Sequence, residues 1–313
     1  MKPSFETFGP IPSRRLGRSL GLNNIPPKIC SYSCIYCQIG NTTQLQIEQR
    51  EFYSPEEIAK AVKVKIDEVR KNGECIDYLS FVPDGEPTLD INLGKEIELL
   101  KPLGIKIAVI TNGSLLWQES VRKNLSKADW VCLKIDALSN KIWSKINRAH
   151  KLLKLKLILQ GMVEFACEYE KELTTDTMLV KGINDSEEEI NKIADFIVKL
   201  KPAKSYLAIP IRPPAETLVE LVNKKMVGIA YQIFSKKLKS VELLIESEEN
   251  TFVSSGKAID DLLSIVSVHP MQREAVKGFL QKAGLEWKVV EKLIRENRLK
   301  EVEYQEKVFY TRC

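Results

Sequence analysis

The chain has 313 residues, 44% of them hydrophobic and 28% charged, with a net charge of +5. That is enough to bury a large core and a small second one, and no apolar run approaches the length of a bilayer, which excludes a membrane-spanning class. Seven cysteines, an odd number, behind an N-terminus without a secretory pattern argue against a disulfide framework and for reduced thiols in the cytoplasm.

In chain order the first signal is a loop with Cys30, Cys34 and Cys37, ahead of the first helix. Ser54-Pro55-Glu56-Glu57 opens that helix with a serine N-cap, proline at the first helical position and a glutamate placed for a capping box; Gly73 ends it. Tyr78 to Val82 reads as a short buried strand and Asp90 to Leu100 as a helix stopped by Pro102 and Gly104. Ile105 to Ile110 is the next strand, closed by Thr111-Asn112-Gly113, and Trp130 to Ile135 another. An amphipathic stretch from Leu152 to about Tyr169 precedes a strand at Thr177 to Val180. Ser186 to Glu189 repeats the capping-box pattern ahead of Ile190, Ile193, Ala194, Ile197 and Val198 at helical spacing, and Tyr206 to Ile209 completes the series. Repeated strand, loop and helix units imply an α/β fold with a parallel sheet, and their number suits a complete or partial (β/α) barrel over residues 1–256.

In such barrels the chemistry sits at the C-terminal strand ends. Asp84-Gly85-Glu86-Pro87, Thr111-Asn112-Gly113-Ser114, Lys134-Ile135-Asp136, Lys181-Gly182-Ile183-Asn184-Asp185 and Pro210-Ile211-Arg212-Pro213-Pro214 all fall there. Structural zinc closes its shell with four protein ligands, whereas three thiolates leave a metal site open. A zinc site completed by a distant cysteine, His150 or His269 is the competing reading. Cys132 reads as a small buried hydrophobe, and Cys75, Cys167 and Cys313 have no ligand-like spacing.

The C-x3-C-x2-C spacing, with Tyr36 before the last cysteine, resembles the signature of the radical S-adenosylmethionine superfamily, and Gly85-Glu86-Pro87 resembles its GEP element. The resemblance implies a partial barrel with a [4Fe-4S] cluster on Cys30, Cys34 and Cys37. It also implies S-adenosylmethionine chelated to the free iron and cleaved by an electron from an unidentified donor. The resulting 5′-deoxyadenosyl radical takes a hydrogen atom from the substrate. Cofactor contacts are implied for Tyr36, Gly85, Glu86, Pro87, Thr111, Asn112, Lys134, Asp136 and Ile183, with Glu86 meeting the methionine amino group. A plain turn at Thr111-Asn112-Gly113 and a solvated ion pair of Lys134 with Asp136 are equal alternatives, and catalytic residues beyond the cofactor are not legible.

The run Phe8 to Gly21, continued by Asn23 to Lys28, resembles a poorly characterised group beside the wyosine synthases, which build a tricyclic base on a tRNA guanosine. The likeness covers roughly residues 4 to 250, including Met178 to Asp185 and Pro210 to Glu216. Archaeal wyosine synthases carry three further cysteines upstream for a second cluster, and this chain has none before Cys30, which argues against wyosine formation itself. Arg14, Arg15 and Arg18 beside the cluster loop are candidates to steer an anionic substrate, with solvated arginines the equal alternative, and Arg212, held among prolines, is a candidate for the pocket.

Residues 257–313 read as a small C-terminal winged-helix domain that folds on its own. Three helical patterns, Ala258 to Val268, Met271 to Ala283 and Glu286 to Glu296, precede strands at Lys300 to Tyr304 and Lys307 to Thr311. Lys288, Lys292 and Arg295 share one face of the third helix, and Trp287, Val290 and Ile294 are its expected core face. The domain holds 11 Lys and Arg against 9 Asp and Glu, a net of +2. The sequence therefore predicts a radical enzyme acting on a macromolecule delivered by the winged helix, RNA or tRNA ahead of a protein or peptide. A DNA-binding regulator with a redox-sensing cluster is a third possibility, and no membrane partner is expected.

Overall fold

Two strands that hydrophobic patterning leaves unannounced, β1 (Glu6–Ser13) and β2 (Gly17–Asn23), open the fold as an antiparallel hairpin. Their sequence, rich in Gly, Pro and Arg, lacks the alternation that marks a strand. The computed structural model describes residues 5–82, 84–245, 252, 254 and 256–313. Along the chain follow β3 (Ile29–Cys30), β4 (Gln44–Leu45), α1 (Pro55–Lys71), β5 (Tyr78–Phe81), α2 (Leu93–Leu100), β6 (Lys106–Thr111), α3 (Glu119–Leu125), β7 (Trp130–Lys134) and α4 (Asn140–Ile146). Then come α5 (Leu155–Glu168), β8 (Glu172–Met178), α6 (Glu187–Leu200), β9 (Lys204–Ala208), α7 (Lys224–Lys237) and β10 (Val241–Leu244). The last segment holds α8 (Ala258–Val268), β11 (Met271–Gln272), α9 (Arg273–Lys282), α10 (Lys288–Arg295), β12 (Leu299–Tyr304) and β13 (Lys307–Arg312).

The main sheet runs β1-β2-β5-β6-β7-β8-β9-β10 and is parallel from β2 onward, with its two edges unpaired to each other. Each of its strands contributes a side chain to one cavity, from Ile11 on β1 to Leu244 on β10, so the sheet wraps around it. The period of two sorts the faces. On β7, Val131 and Leu133 point outward into the large core beneath the helices, while Trp130 and Cys132 point inward and form a cluster with Leu16, Ala108, Tyr206 and Leu244. Lys134 continues that inward row to the strand's C-terminal end and reaches the cavity. Cys132 is thus the buried small hydrophobe expected, and Cys75, Cys167 and Cys313 are exposed. No described helix is long and apolar enough to cross a membrane.

Strand β8 begins five residues ahead of its expected start at Thr177, because its sequence is polar. Its hydroxyls are satisfied inside the sheet: Thr174 donates to the Val131 carbonyl (3.3 Å), Thr177 to that of Ile135 (2.9 Å), and Thr175 meets Ser205 at 2.9 Å. A paired hydroxyl can be buried at little net loss, so hydrophobicity alone under-reads such a strand. The two capping boxes are also incomplete. Ser54 bonds to the Glu56 side chain and not to backbone. Ser186 does accept from the Glu189 amide (3.2 Å), but the Glu189 carboxylate leaves its own helix to accept from the amides of Leu138 and Ser139 ahead of α4, at 2.6 and 2.9 Å. On α6, Val198 is exposed, and Leu200 is buried in its place.

Residues 258–313 form three helices and an antiparallel sheet ordered β11-β13-β12. Their core is not self-contained. Phe8 and Ile11 of β1 belong to the same buried cluster as Leu262, Val266, Phe279, Val290 and Tyr310, and α8 packs along β1. Lys65 of α1 pairs with the buried Asp261 at 2.7 Å, and the Tyr304 hydroxyl donates to the Pro210 carbonyl at 2.7 Å. The expected self-sufficient module therefore borrows part of its core from the first strand. On α10 the buried residues are Val290 and Leu293; Ile294 is exposed and Trp287 half-buried at the helix start, which corrects the expected face by one position.

Candidate active site

Cys30 ends β3, and Cys34 and Cys37 follow in the turn that β3 and β4 frame. All three line the cavity, whose volume is about 350 Å³, within the range of small-molecule sites. Burial pushes all three thiols up, Cys34 to about 12, so their ionised forms need a compensating cation. Two amide side chains point at the sulfurs: Asn112 Nδ2 lies 3.7 Å from Cys30 Sγ and Asn147 Nδ2 3.4 Å from Cys34 Sγ. Among the described residues no three His, Cys, Asp or Glu side chains converge to hold a single metal ion. His269 faces Arg212 at 3.0 Å and His150 turns to the Leu152 amide, so neither completes a zinc site with the triplet.

The loop after β5 docks directly on this turn. The Glu86 amide donates to the Ile29 carbonyl (3.2 Å) and the Lys28 amide to the Asp84 carbonyl (2.8 Å). Only glycine fits at position 85, since a Cβ there would stand 1.8 Å from the Ile29 oxygen. Gly85 lines the cavity, whereas the Glu86 carboxylate turns away from it. Its Oε1 accepts from the Thr88 amide (3.1 Å), the Thr88 hydroxyl (2.6 Å) and the Thr111 hydroxyl (2.5 Å), and its Oε2 from the Asn112 amide (2.8 Å). Asn112 in turn donates to Ser31 Oγ at 2.9 Å, and Ser31 meets Ser114 at 2.6 Å. Gly85-Glu86-Pro87, Thr111-Asn112 and the cysteine turn are thus one hydrogen-bonded body.

Tyr36 is buried at the cavity wall, its hydroxyl donating to Asp136 and its face under the Lys134 ammonium at 5.5 Å. Lys134 and Asp136, expected on one face, have separate partners. Asp136 accepts from Asn147 Nδ2 (2.8 Å) and the Met178 amide (2.9 Å), while Lys134 pairs with Asp176 at 3.1 Å. Asp176 also pairs with Arg15. Burial alone would lower Lys134 and raise Asp176, yet the pairing wins in both: Lys134 ends above the usual lysine range and Asp176 below the usual carboxylate range. Sequence reasoning missed Asp176, whose signal was the inward row Thr174, Asp176 and Met178 once β8 is placed correctly.

Of the remaining expected residues, Arg14 and Arg212 line the cavity. Arg18 points away and meets Asp77 at 3.5 Å in solvent. Ile183, Pro87, Thr111, Asn112 and Asp136 support the rim without lining it. Asn184, fully buried, ties the Ile183 loop to the Asp136 and Met178 carbonyls at 2.8 Å each. Arg212 donates to Gln38 (3.2 Å), and the Gln38 amide donates to the Val268 carbonyl (2.8 Å), so the residue after Cys37 is latched to the end of α8.

Residues 24–197, more than half of the chain, match the family model described as Radical SAM superfamily. The chain belongs to that superfamily. As a radical S-adenosylmethionine protein it is an enzyme, and its cofactors are a [4Fe-4S] cluster and S-adenosylmethionine, which leaves the regulator reading without support. The chain also belongs with the UPF0026 proteins: one from Methanocaldococcus jannaschii is 48% identical over 307 residues, covering 97% of this chain and 94% of that one. An S-adenosylmethionine-dependent nucleotide dehydratase of Lacinutrix mariniflava is 26% identical over 238 residues, 74% of this chain and 47% of that one. Among solved structures, TYW1 with a lysine-pyruvate adduct superposes with a TM-score of 0.53 at 18% identity, over 71% of this chain and 74% of that one, a likeness of fold. The radical S-adenosylmethionine assignment suits the residues present, since three thiols open on one cavity, the donor set that leaves one iron of a cluster free.

Proposed function

We propose that Cys30, Cys34 and Cys37 hold the cluster and that the enzyme modifies a base of RNA, with tRNA the leading candidate. When bound, the cluster and S-adenosylmethionine supply a 5′-deoxyadenosyl radical that removes a hydrogen atom from the substrate. Gly85, backed by Glu86 and Pro87, presents backbone to the methionine end of the cofactor, and Glu86 holds that backbone and the Thr111-Asn112 turn at a fixed distance from the cysteines. Tyr36 and Lys134 form the adjoining wall. Asp176 keeps Lys134 charged and aimed into the cavity, and Arg14 and Arg212 offer guanidinium groups to an anionic substrate.

One observation carries the substrate reading: the cavity that holds the three thiols is walled on one side by Val268 and His269 of the C-terminal unit. A macromolecule gripped by that unit is therefore placed at the cavity mouth. The unit's order of helix, short strand, helix, helix and hairpin supports a winged helix, and Lys288, Lys292 and Arg295 of α10 are all exposed. The sequence resemblance to the wyosine group and the nucleotide substrate named for the Lacinutrix relative favour a nucleotide base. A docked protein or peptide is the second reading, favoured by the pairing of Lys288 with Glu286 (3.4 Å) and of Lys292 with Glu296 (3.7 Å), which mutes the basic face.

The test is retention of total RNA at low and moderate salt by the full chain and by Lys288→Ala/Lys292→Ala/Arg295→Ala. RNA recognition predicts salt-sensitive retention and a slope shallower in the variant by about two to three units. No retention by the parent at low salt removes RNA and leaves the peptide reading.

A further inference from the structure

Between Asp136 and Glu164 the chain carries no Asp or Glu at all, and six Lys and Arg: Lys141, Lys145, Arg148, Lys151, Lys154 and Lys156. All six are exposed. Arg148 meets Glu216 at 2.5 Å, and among the described residues the five lysines have no carboxylate partner. A charge run is ordinarily a solvated face, but this one occupies a particular place. Its backbone is the outer support of the cysteine turn: the Ser33 amide donates to the Asn147 carbonyl (3.0 Å), the Ile35 amide to that of Ile146 (3.0 Å) and the His150 amide to the Ser31 carbonyl (2.9 Å). Asn147, which touches Cys34 Sγ, is the direct neighbour of the exposed Arg148. None of residues 140–157 lines the cavity, so this surface covers the cysteines from the side opposite the substrate.

The same surface carries apolar contact area. Leu152 is 65% exposed and Leu157 45%. Trp117, also 45% exposed, has its backbone against Gly161, one turn along α5 from Leu157. Exposed leucines set among lysines, with Trp117 at the edge where Glu119 and Glu164 begin, have the composition of a protein-docking patch, in which charge steers the encounter and the apolar centre holds it. RNA would use the charge but not the leucines, and a base docked here could not reach the cavity.

We propose that the surface formed by residues 141–157 and Trp117 is the docking site for a small acidic one-electron carrier protein, the reductant that the reaction requires. The carrier is oxidised by one electron and the cluster on Cys30, Cys34 and Cys37 is reduced by one; no proton or group is transferred. This rests on the cluster assignment above. Electron transfer falls steeply with distance, and the surface lies one hydrogen bond from Cys34 through Asn147, whereas the opposite side must stay open to substrate.

The probe is a flavodoxin of strongly negative net charge, its binding to the reconstituted enzyme measured by anaerobic calorimetry at low ionic strength. Lys151→Glu/Lys154→Glu/Lys156→Glu should weaken binding about tenfold or more, while the charge-matched Lys288→Glu/Lys292→Glu/Arg295→Glu should not. With dithionite as reductant, which needs no docking, 5′-deoxyadenosine formation should be unchanged in the first variant. Flavodoxin affinity equal to the parent's overturns the proposal, as does a variant that loses RNA retention but keeps flavodoxin. If dithionite yields no 5′-deoxyadenosine even in the parent, the cluster assignment is what fails, and the binding comparison still decides the docking site.

Discussion

Replacing Glu86 with alanine should unfold the active-site scaffold before it affects any single cofactor contact. The buried carboxylate accepts four hydrogen bonds, from two groups of Thr88, from the Thr111 hydroxyl and from the Asn112 amide, at 2.5–3.1 Å. At about 1 kcal/mol net for each bond, and with the stranded donors buried, the loss is roughly 3–5 kcal/mol once non-additivity within one network is allowed for. That is a large part of the stability of an ordinary domain. Glu86→Gln should cost about 1–2 kcal/mol, because its carbonyl can keep the three bonds at Oε1 while its NH2 group confronts the Asn112 amide. Urea unfolding of the metal-free chain measures both, with iron retention after reconstitution as the companion readout. The scaffold role is refuted if alanine leaves the unfolding free energy within about 1 kcal/mol of the parent while S-adenosylmethionine binding is lost.

Asp84 supplies a pH test. Burial raises its carboxyl to about 7, against an ordinary value of 3.8. A raised carboxyl favours the protonated folded state, so its contribution is full below the ordinary value and is lost as pH rises through about 7. At about 1.4 kcal/mol per unit, the parent should lose roughly 3 kcal/mol relative to Asp84→Asn between pH 5 and pH 8 in the metal-free protein; parallel stability profiles would contradict it. Asp176→Asn leaves the ammonium of Lys134 and the guanidinium of Arg15 without their shared anion, and both are mostly buried. A loss of about 2–4 kcal/mol is expected in urea unfolding, and an unchanged midpoint would show that the cations find water instead.

The parts of the site that depend on local spacing were legible. The cysteine triplet, the GEP turn and the Thr111-Asn112 turn all reach the same rim, because strand ends in a parallel sheet bring consecutive loops together. What the sequence hid was mostly polar or borrowed. Strand β8 buries threonines that hydrogen-bond within the sheet, so its true start and the inward position of Asp176 escaped a reading by hydrophobicity. Strand β1 lacks the alternation that marks a strand, yet its Phe8 and Ile11 complete the core of a unit 250 residues away in sequence. The spacing gives Glu189 a local capping task and the family resemblance gives Glu86 a cofactor contact; neither reading contains the bonds by which each carboxylate joins separate elements. A carboxylate's partners depend on where distant loops lie, and spacing along one chain carries no record of that.

Anaerobic reconstitution of the full chain, followed by iron analysis and incubation with S-adenosylmethionine and dithionite, tests the cluster assignment itself. One cluster of about four irons per chain and release of 5′-deoxyadenosine are expected, both abolished by Cys30→Ala/Cys34→Ala/Cys37→Ala. Release of 5′-deoxyadenosine by that triple variant, or iron at about twice the expected figure, would contradict it.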